Sequence, residues 1–231
     1  VKITLLGHSG FVVEGEKNIL VFDYYTDAED VMGKLPIGVK STVFFASHAH
    51  RDHFSRKIFD WACTGNISYV LGKGIVKGKA PEAAVILGKG QSAEMPGVTV
   101  RAFGSTDTGV SFMAELEGRK VFHAGDLNDW YWEEESTRAE LKRDEQRFLD
   151  ELEPLRDSQP DAAFVPLDGR LGKNAFRGPV HFAKAMKPRL VIPMHLCGGE
   201  GLPAELRKRL AEESAGTRVA ELIRPGDHIE L

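Results

Sequence analysis

Short apolar runs, broken by polar turns, recur along most of this chain and read as strands. Val1 to Leu6, Phe11 to Glu14 and Asn18 to Phe22 are separated by Gly7-His8-Ser9-Gly10 and Gly15-Glu16-Lys17, so the chain opens as a β-meander. Ser41-Thr42-Val43-Phe44-Phe45-Ala46 is β-branched and aromatic throughout, the pattern of a buried strand. Phe54 to Ala62 puts Ile58, Phe59, Trp61 and Ala62 at helix-compatible spacing before the stop signals Gly65 and Asn66. Further strands are expected at Ile67–Leu71, Ala84–Leu87, Val98–Phe103, Val110–Leu116 and Lys120–Ala124, with the later hairpins forming a second sheet.

Glu133 to Leu155 is the longest helical pattern, with Leu141, Phe148, Leu152 and Leu155 along one face and charges along the other. A strand at Asp161–Val165, a helix over about Val180–Met186, a strand at Leu190–Ile192, a Pro203-initiated helix carrying Leu206 and Leu210, and strands near Arg218–Ile223 and His228–Leu231 complete the series. Strands in two runs, each followed by helices, predict a two-sheet core flanked by helices. No linker divides residues 1–231, and one domain is expected.

Composition narrows the picture. With 42% hydrophobic residues, 28% charged residues and a net charge of -4, the chain has the balance of a soluble globular protein without a broad basic face, which argues against nucleic acid as a partner. No apolar run approaches the roughly 20 residues of a membrane span, and no signal pattern opens the chain, so a cytoplasmic protein acting on a small molecule is expected. Cys63 and Cys197 are too few for a disulfide framework. Lys73, Lys77 and Lys79 alternate with glycines but lack phosphate-loop spacing, so a solvated loop is expected there.

The chemistry is concentrated in Ser47-His48-Ala49-His50-Arg51-Asp52-His53, on the loop after the buried strand. Three imidazoles and a carboxylate within six residues would be costly to bury unpaired, and together they form a metal-ligand set. Nitrogen and oxygen donors suit zinc first, with manganese or iron as alternatives.

His-x-His-x-Asp-His after an apolar strand, followed by Gly125-Asp126 and a late Pro193-Met194-His195, resembles the metallo-β-lactamase superfamily of metal-dependent hydrolases over nearly the whole chain. The resemblance implies an α+β, four-layer αββα sandwich binding one or two divalent ions. It implies His48 and His50 on the first ion, Asp52, His53 and His195 on the second, and Asp126 bridging them. Asp52 would also orient the nucleophile or take its proton.

The superfamily usually supplies a third histidine to the first ion, and none lies between His53 and His123. Asp107, in Ser105-Thr106-Asp107-Thr108, is the expected substitute, with His123 the runner-up. His8, Asp23, His123, Asp168, Arg170 and His181 are expected to orient ligands or meet substrate, Arg170 being suited to a carboxylate or phosphate. Tyr24 to Lys40 is expected to be a loop bordering the site. The implied reaction is hydrolysis of an ester, lactone, amide or phosphoester by metal-activated hydroxide. The rival readings are an iron-dependent oxygenase or redox protein on the same fold, and a non-catalytic metal-binding module.

Overall fold

A computed structural model describes residues 1–75, 81, 84–213 and 216–231. Lys77 and Lys79 of the glycine-lysine segment lie outside the described residues.

The first sheet contains β1 (Lys2–Gly7), β2 (Gly10–Glu14), β3 (Asn18–Phe22), β4 (Ser41–Ala46), β5 (Ile67–Gly72) and β6 (Ala84–Leu87). The second contains β7 (Ser92–Met95), β8 (Val98–Phe103), β9 (Ser111–Leu116), β10 (Arg119–His123), β11 (Ala162–Pro166), β12 (Leu190–Met194) and β13 (Arg218–Val219). The last strand, β14 (His228–Glu230), returns to pair with β1, giving the orders β14-β1-β2-β3-β4-β5-β6 and β13-β12-β11-β10-β9-β8-β7. In each sheet antiparallel hairpins give way to a parallel set, β3 to β6 and β10 to β13.

Alternation along the strands divides the core. Phe11, Leu20, Phe22, Val43, Phe45 and Val70 of the first sheet face inward, onto Phe112, Val121 and Phe164 of the second. Their neighbours Val12, Ile19, Val21, Phe44 and Tyr69 face outward into a smaller cluster. Aromatic rings fill the gap between the sheets: Phe11 lies 4.5 Å from Phe164 between centroids, and Phe22 stacks on His123 at 5.1 Å.

Helices α1 (Arg138–Leu152), α2 (Arg177–Met186) and α3 (Leu202–Glu213) supply core residues to the second sheet's side, among them Phe148, Phe182 and Leu206. The sandwich is therefore the expected one, with its fourth layer, over the first sheet, made of loop 24–40 and short 3-10 turns. Among the described residues no helix is long and apolar enough to cross a membrane.

Three expected elements differ, and one strand was not expected. The helix at Phe54–Ala62 is a 3-10 turn, Arg56–Trp61. An α-helix would bond the Ile58 carbonyl to the Ala62 amide, but Tyr69 Oη donates to that carbonyl at 3.0 Å and Ala62 N–H turns to Phe59 O. The helix expected from Glu133 starts at Arg138, where Thr137 and Glu140 form a reciprocal cap, and it passes into a 3-10 turn at Pro154. The Arg218–Ile223 strand shortens to two residues. Ser92–Met95 pairs with β8 although its polar sequence gave no strand signal.

Candidate metal centre

Loops meet where the parallel strands of both sheets end, the usual place for chemistry in such sheets, joined by the β8–β9 loop with Asp107. From the first sheet come the β1–β2 turn with His8, Asp23 after β3 and Ser47 to His53 after β4. From the second come Asp126 after β10, Asp168 after β11 and His195 after β12. His8, Asp23 and His195 have φ of 52°, 43° and 59°. Left-handed conformations in non-glycine residues carry strain, and here they collect at one site.

Close backbone approach makes room for the motif. A Cβ on Gly125, at φ 53°, would stand 2.8 Å from Ser47 Cβ, and one on Gly109 would clash with Ser47 O. These glycines let the second sheet's loops press onto Ser47-His48.

Asp23 is the buried hub. It accepts from Ser47 N–H at 2.7 Å, Ser47 Oγ at 2.6 Å and His53 Nδ1 at 2.7 Å. Because Ser47 Oγ spends its proton on Asp23, His48 Nδ1 donates to Ser47 Oγ at 2.9 Å. His195 Nδ1 donates to the buried Asp168 at 3.0 Å. All three rings are thus held at Nδ1, with Nε2 pointing the other way.

Those Nε2 atoms converge on Asp126. Its Oδ2 lies 3.3 Å from His48 Nε2, and its Oδ1 lies 3.2 Å from His53 Nε2 and 3.7 Å from His195 Nε2. His8, Asp52, His53 and His195 form a neighbouring group whose ligand atoms all lie within 4.8 Å of one another. Asp107 meets His50 at 3.8 Å and groups with His50 and Asp126. Every residue of the expected metal set is therefore gathered, in three overlapping groups, two of which share Asp126 and two of which share His53.

The electrostatics call for positive charge at the centre. Burial opposes a charged His53, but Asp126 and Asp23 outweigh it and push its pKa up to about 10. For His195, burial is outweighed by Asp168, Cys197 and Asp126 together, which push its pKa up to about 9. Burial would raise the Asp126 carboxyl, yet His48 and His53 hold it far below the usual carboxylate range. His8 goes the other way: burial, then His195 and His53, lower it to about 4. Nε2 of His8, His48 and His53 and Oδ1 of Asp126 are buried without hydrogen-bond partners. Unprotonated ring nitrogens and a carboxylate oxygen left unpartnered around Asp126 and His53 fit divalent cations, which would satisfy them.

Several expectations need correction. His123 is neither a ligand nor a substrate contact: fully buried, it donates from Nε2 to Ser9 O and accepts Gly125 N–H at Nδ1, supporting the site beneath Asp23. His181 lies elsewhere, with Asp129 and Glu145 and against Phe148, because α2 begins at Arg177 and carries the ring to its second turn. His8, expected to orient ligands or meet substrate, brings Nε2 to 3.3 Å from Asp52 Oδ2, close enough to orient that carboxylate or to join the group itself. Cys197 Sγ approaches His195 from the Nδ1 side, at 3.5 Å, away from Nε2.

Above the centre is a cavity of about 450 Å³ whose wall includes His50, Asp107, Asp126, His195, Arg170 and two tryptophans, Trp130 and Trp132. The tryptophans escape a reading by periodicity because they stand in an irregular loop; the signal was Trp130-Tyr131-Trp132 so soon after Asp126.

Against known proteins, the profile described as "Beta-lactamase superfamily domain" matches residues 2–195. A UPF0173 metal-dependent hydrolase from Korarchaeum cryptofilum is 27% identical over 244 residues, covering 100% of both chains. Igni18, described as a metallo hydrolase from Ignicoccus hospitalis, matches with TM-score 0.69 and 19% identity over 100% of this chain and 99% of its own. CmlA, a diiron β-hydroxylase from Streptomyces venezuelae, matches with TM-score 0.64 and 12% identity over 100% of this chain and 54% of its own. At these identities the two structures share the fold.

Proposed function

The chain belongs to the β-lactamase superfamily, and from that premise we propose that it is a metal-dependent hydrolase of a small-molecule ester, lactone, amide or phosphoester. The observation that carries this reading is the convergence of His48 and His53 Nε2 on Asp126, buried and unpartnered, with the His8–Asp52–His53–His195 group alongside and an open cavity above.

Two positions for divalent ions are assigned. His48, His50, Asp107 and Asp126 would hold one, with Asp107 in place of an imidazole. Asp52, His53, His195 and Asp126 would hold the other, with His8 as an added nitrogen donor. Zinc is the first choice, and the share of carboxylates admits manganese or iron. When bound, such ions supply Lewis acidity and lower the pKa of water from near 16 toward about 7.

The protein's own groups do the positioning. Asp23, Ser47 and Asp168 fix the rings through Nδ1. Asp52, half exposed at the cavity wall with His8 Nε2 3.3 Å from its Oδ2, would take the proton of the attacking water.

Elemental mass spectrometry on protein purified without chelator tests the assignment. About two equivalents of metal per chain, falling to one in Asp107→Ala, are expected. p-Nitrophenyl ester or phosphodiester turnover should vanish with chelator and return with added zinc or manganese. One equivalent unaffected by Asp107→Ala would remove Asp107 from the site. Oxygen consumption by the iron-loaded protein, with no ester or phosphodiester cleaved, would replace the hydrolase reading by the oxygenase one.

A further inference from the structure

The cavity wall carries a fixed cation beside a flat apolar surface, and neither supplies a metal ligand. Arg170 follows β11 on the 3-10 turn Gly169–Asn174. Its Nε lies 2.9 and 3.1 Å from the two oxygens of Asp168, and Nη2 lies 2.5 Å from Oδ2. Asp168 is fully buried, whereas the Arg170 side chain is 54% exposed. The guanidinium is therefore clamped at two nitrogens, while Nη1 has no hydrogen-bond partner among the described residues.

A clamped fork has already lost most of its rotamer freedom, so an anion can bind it with little further ordering. Trp132 lies under it at 5.6 Å, and the rings of Trp130 and Trp132 are parallel within 1° at 6.1 Å. Trp130 is fixed in turn: its Nε1 donates to Asp126 O at 3.0 Å, and its ring meets His195 edge-on at 5.7 Å. The wall thus runs from the metal centre along one indole to the next and ends at the cation. Arg170 is the only lysine or arginine among the described residues lining this cavity, and with Trp132 it also borders an adjoining cavity of about 480 Å³.

We propose that this wall selects the substrate: the chain acts on small molecules bearing a carboxylate or phosphate joined to a flat apolar group. The anion pairs with Arg170 Nη1, the flat group lies on Trp132 and Trp130, and the bond to be cut faces Asp126 and His195. This inference rests on the hydrolase reading and adds the substrate class to it. Asp52, Asp107 and Asp126 belong to the ion positions, so Arg170 is left as the wall's own attraction for an anion.

The test reads binding rather than turnover, so it fails separately from the hydrolase reading. Metal-loaded protein is titrated with phenylacetate, phenylphosphonate and the neutral phenylacetamide, following tryptophan fluorescence. At least one anion should bind about tenfold or more tighter than the amide, and the tighter anion names the class. Arg170→Gln should shrink that ratio to near one, and Arg170→Lys should keep part of it. Trp132→Leu should weaken all three ligands alike.

Repeating the titration on metal-stripped protein removes direct coordination of the anion, and the difference between wild type and Arg170→Gln should persist there. Equal binding of anion and amide by the wild type would overturn the proposal even if Arg170→Gln failed to fold. An unchanged ratio in Arg170→Gln would overturn it as well.

Discussion

Asp23 shows how one residue can govern a site it does not enter. Its carboxylate takes three hydrogen bonds, two from Ser47 and one from His53, while fully buried. Replacing it with asparagine keeps the shape and tolerates the left-handed backbone, but removes the charge that fixes the His53 tautomer. Asp23→Asn should lower metal affinity about 10- to 100-fold, read by competition with a fluorescent chelator, with folding retained. Unchanged affinity would mean that the His53 ring is held by packing alone.

Residues of this kind were partly legible. The His-rich motif, Asp126 and His195 stand out because each carries metal-binding chemistry at a strand end. The rank of His8 does not, because ligand and turn residue look alike until the β1–β2 turn is set against His195, where the two rings come within 4.0 Å. Trp130 and Trp132 carry no ligand chemistry, and their nearness to Asp126 in the sequence is the one hint of the cavity wall the fold makes of them.

Among the elements, strands were easier to read than helices. Strand alternation reports burial directly, whereas the two misplaced helices depended on hydrogen bonds made outside the periodic pattern: Tyr69 at Ile58 and the cap at Thr137. The cap was present in the sequence as Thr-x-x-Glu, overshadowed by the acidic run Glu133-Glu134-Glu135 just before it. Thr137 Oγ1 accepts Glu140 N–H at 3.3 Å and Glu140 Oε2 accepts Thr137 N–H at 2.9 Å. Thr137→Ala should cost about 1 kcal/mol, lowering the melting temperature by about 2–4 °C in calorimetry, with ester turnover and metal content unchanged.

At the scale of the whole molecule, the sheets are tied at the end opposite the metal centre. Glu117, in the β9–β10 turn, accepts backbone N–H groups of Glu16 and Lys17 in the β2–β3 turn and of Asn18 at the start of β3, at 2.7, 2.7 and 3.0 Å. Partial burial would raise the Glu117 carboxyl, but these donors outweigh it and hold its pKa below the usual glutamate value. A carboxylate whose pKa is lowered by folding stabilises the fold above its unfolded pKa, and loses that effect as pH falls through the folded one. Wild type should therefore melt above Glu117→Gln at pH 7, in a single transition for the one domain we propose. The gap should close as pH drops below the glutamate range. A gap independent of pH would assign the difference to shape rather than charge.

The stacked rings between the sheets have a meaning beyond packing. Phe22 on His123 and Phe11 against Phe164 set the separation of the two layers, and one layer carries His48 and His53 while the other carries Asp126 and His195. The interior acts as the spacer of a calliper whose jaws are the ion-binding loops. An exchange that thinned or thickened it by a methylene would retune the jaws without touching them. Natural selection on catalysis would then read as restraint on core volume, in rings that never meet a substrate.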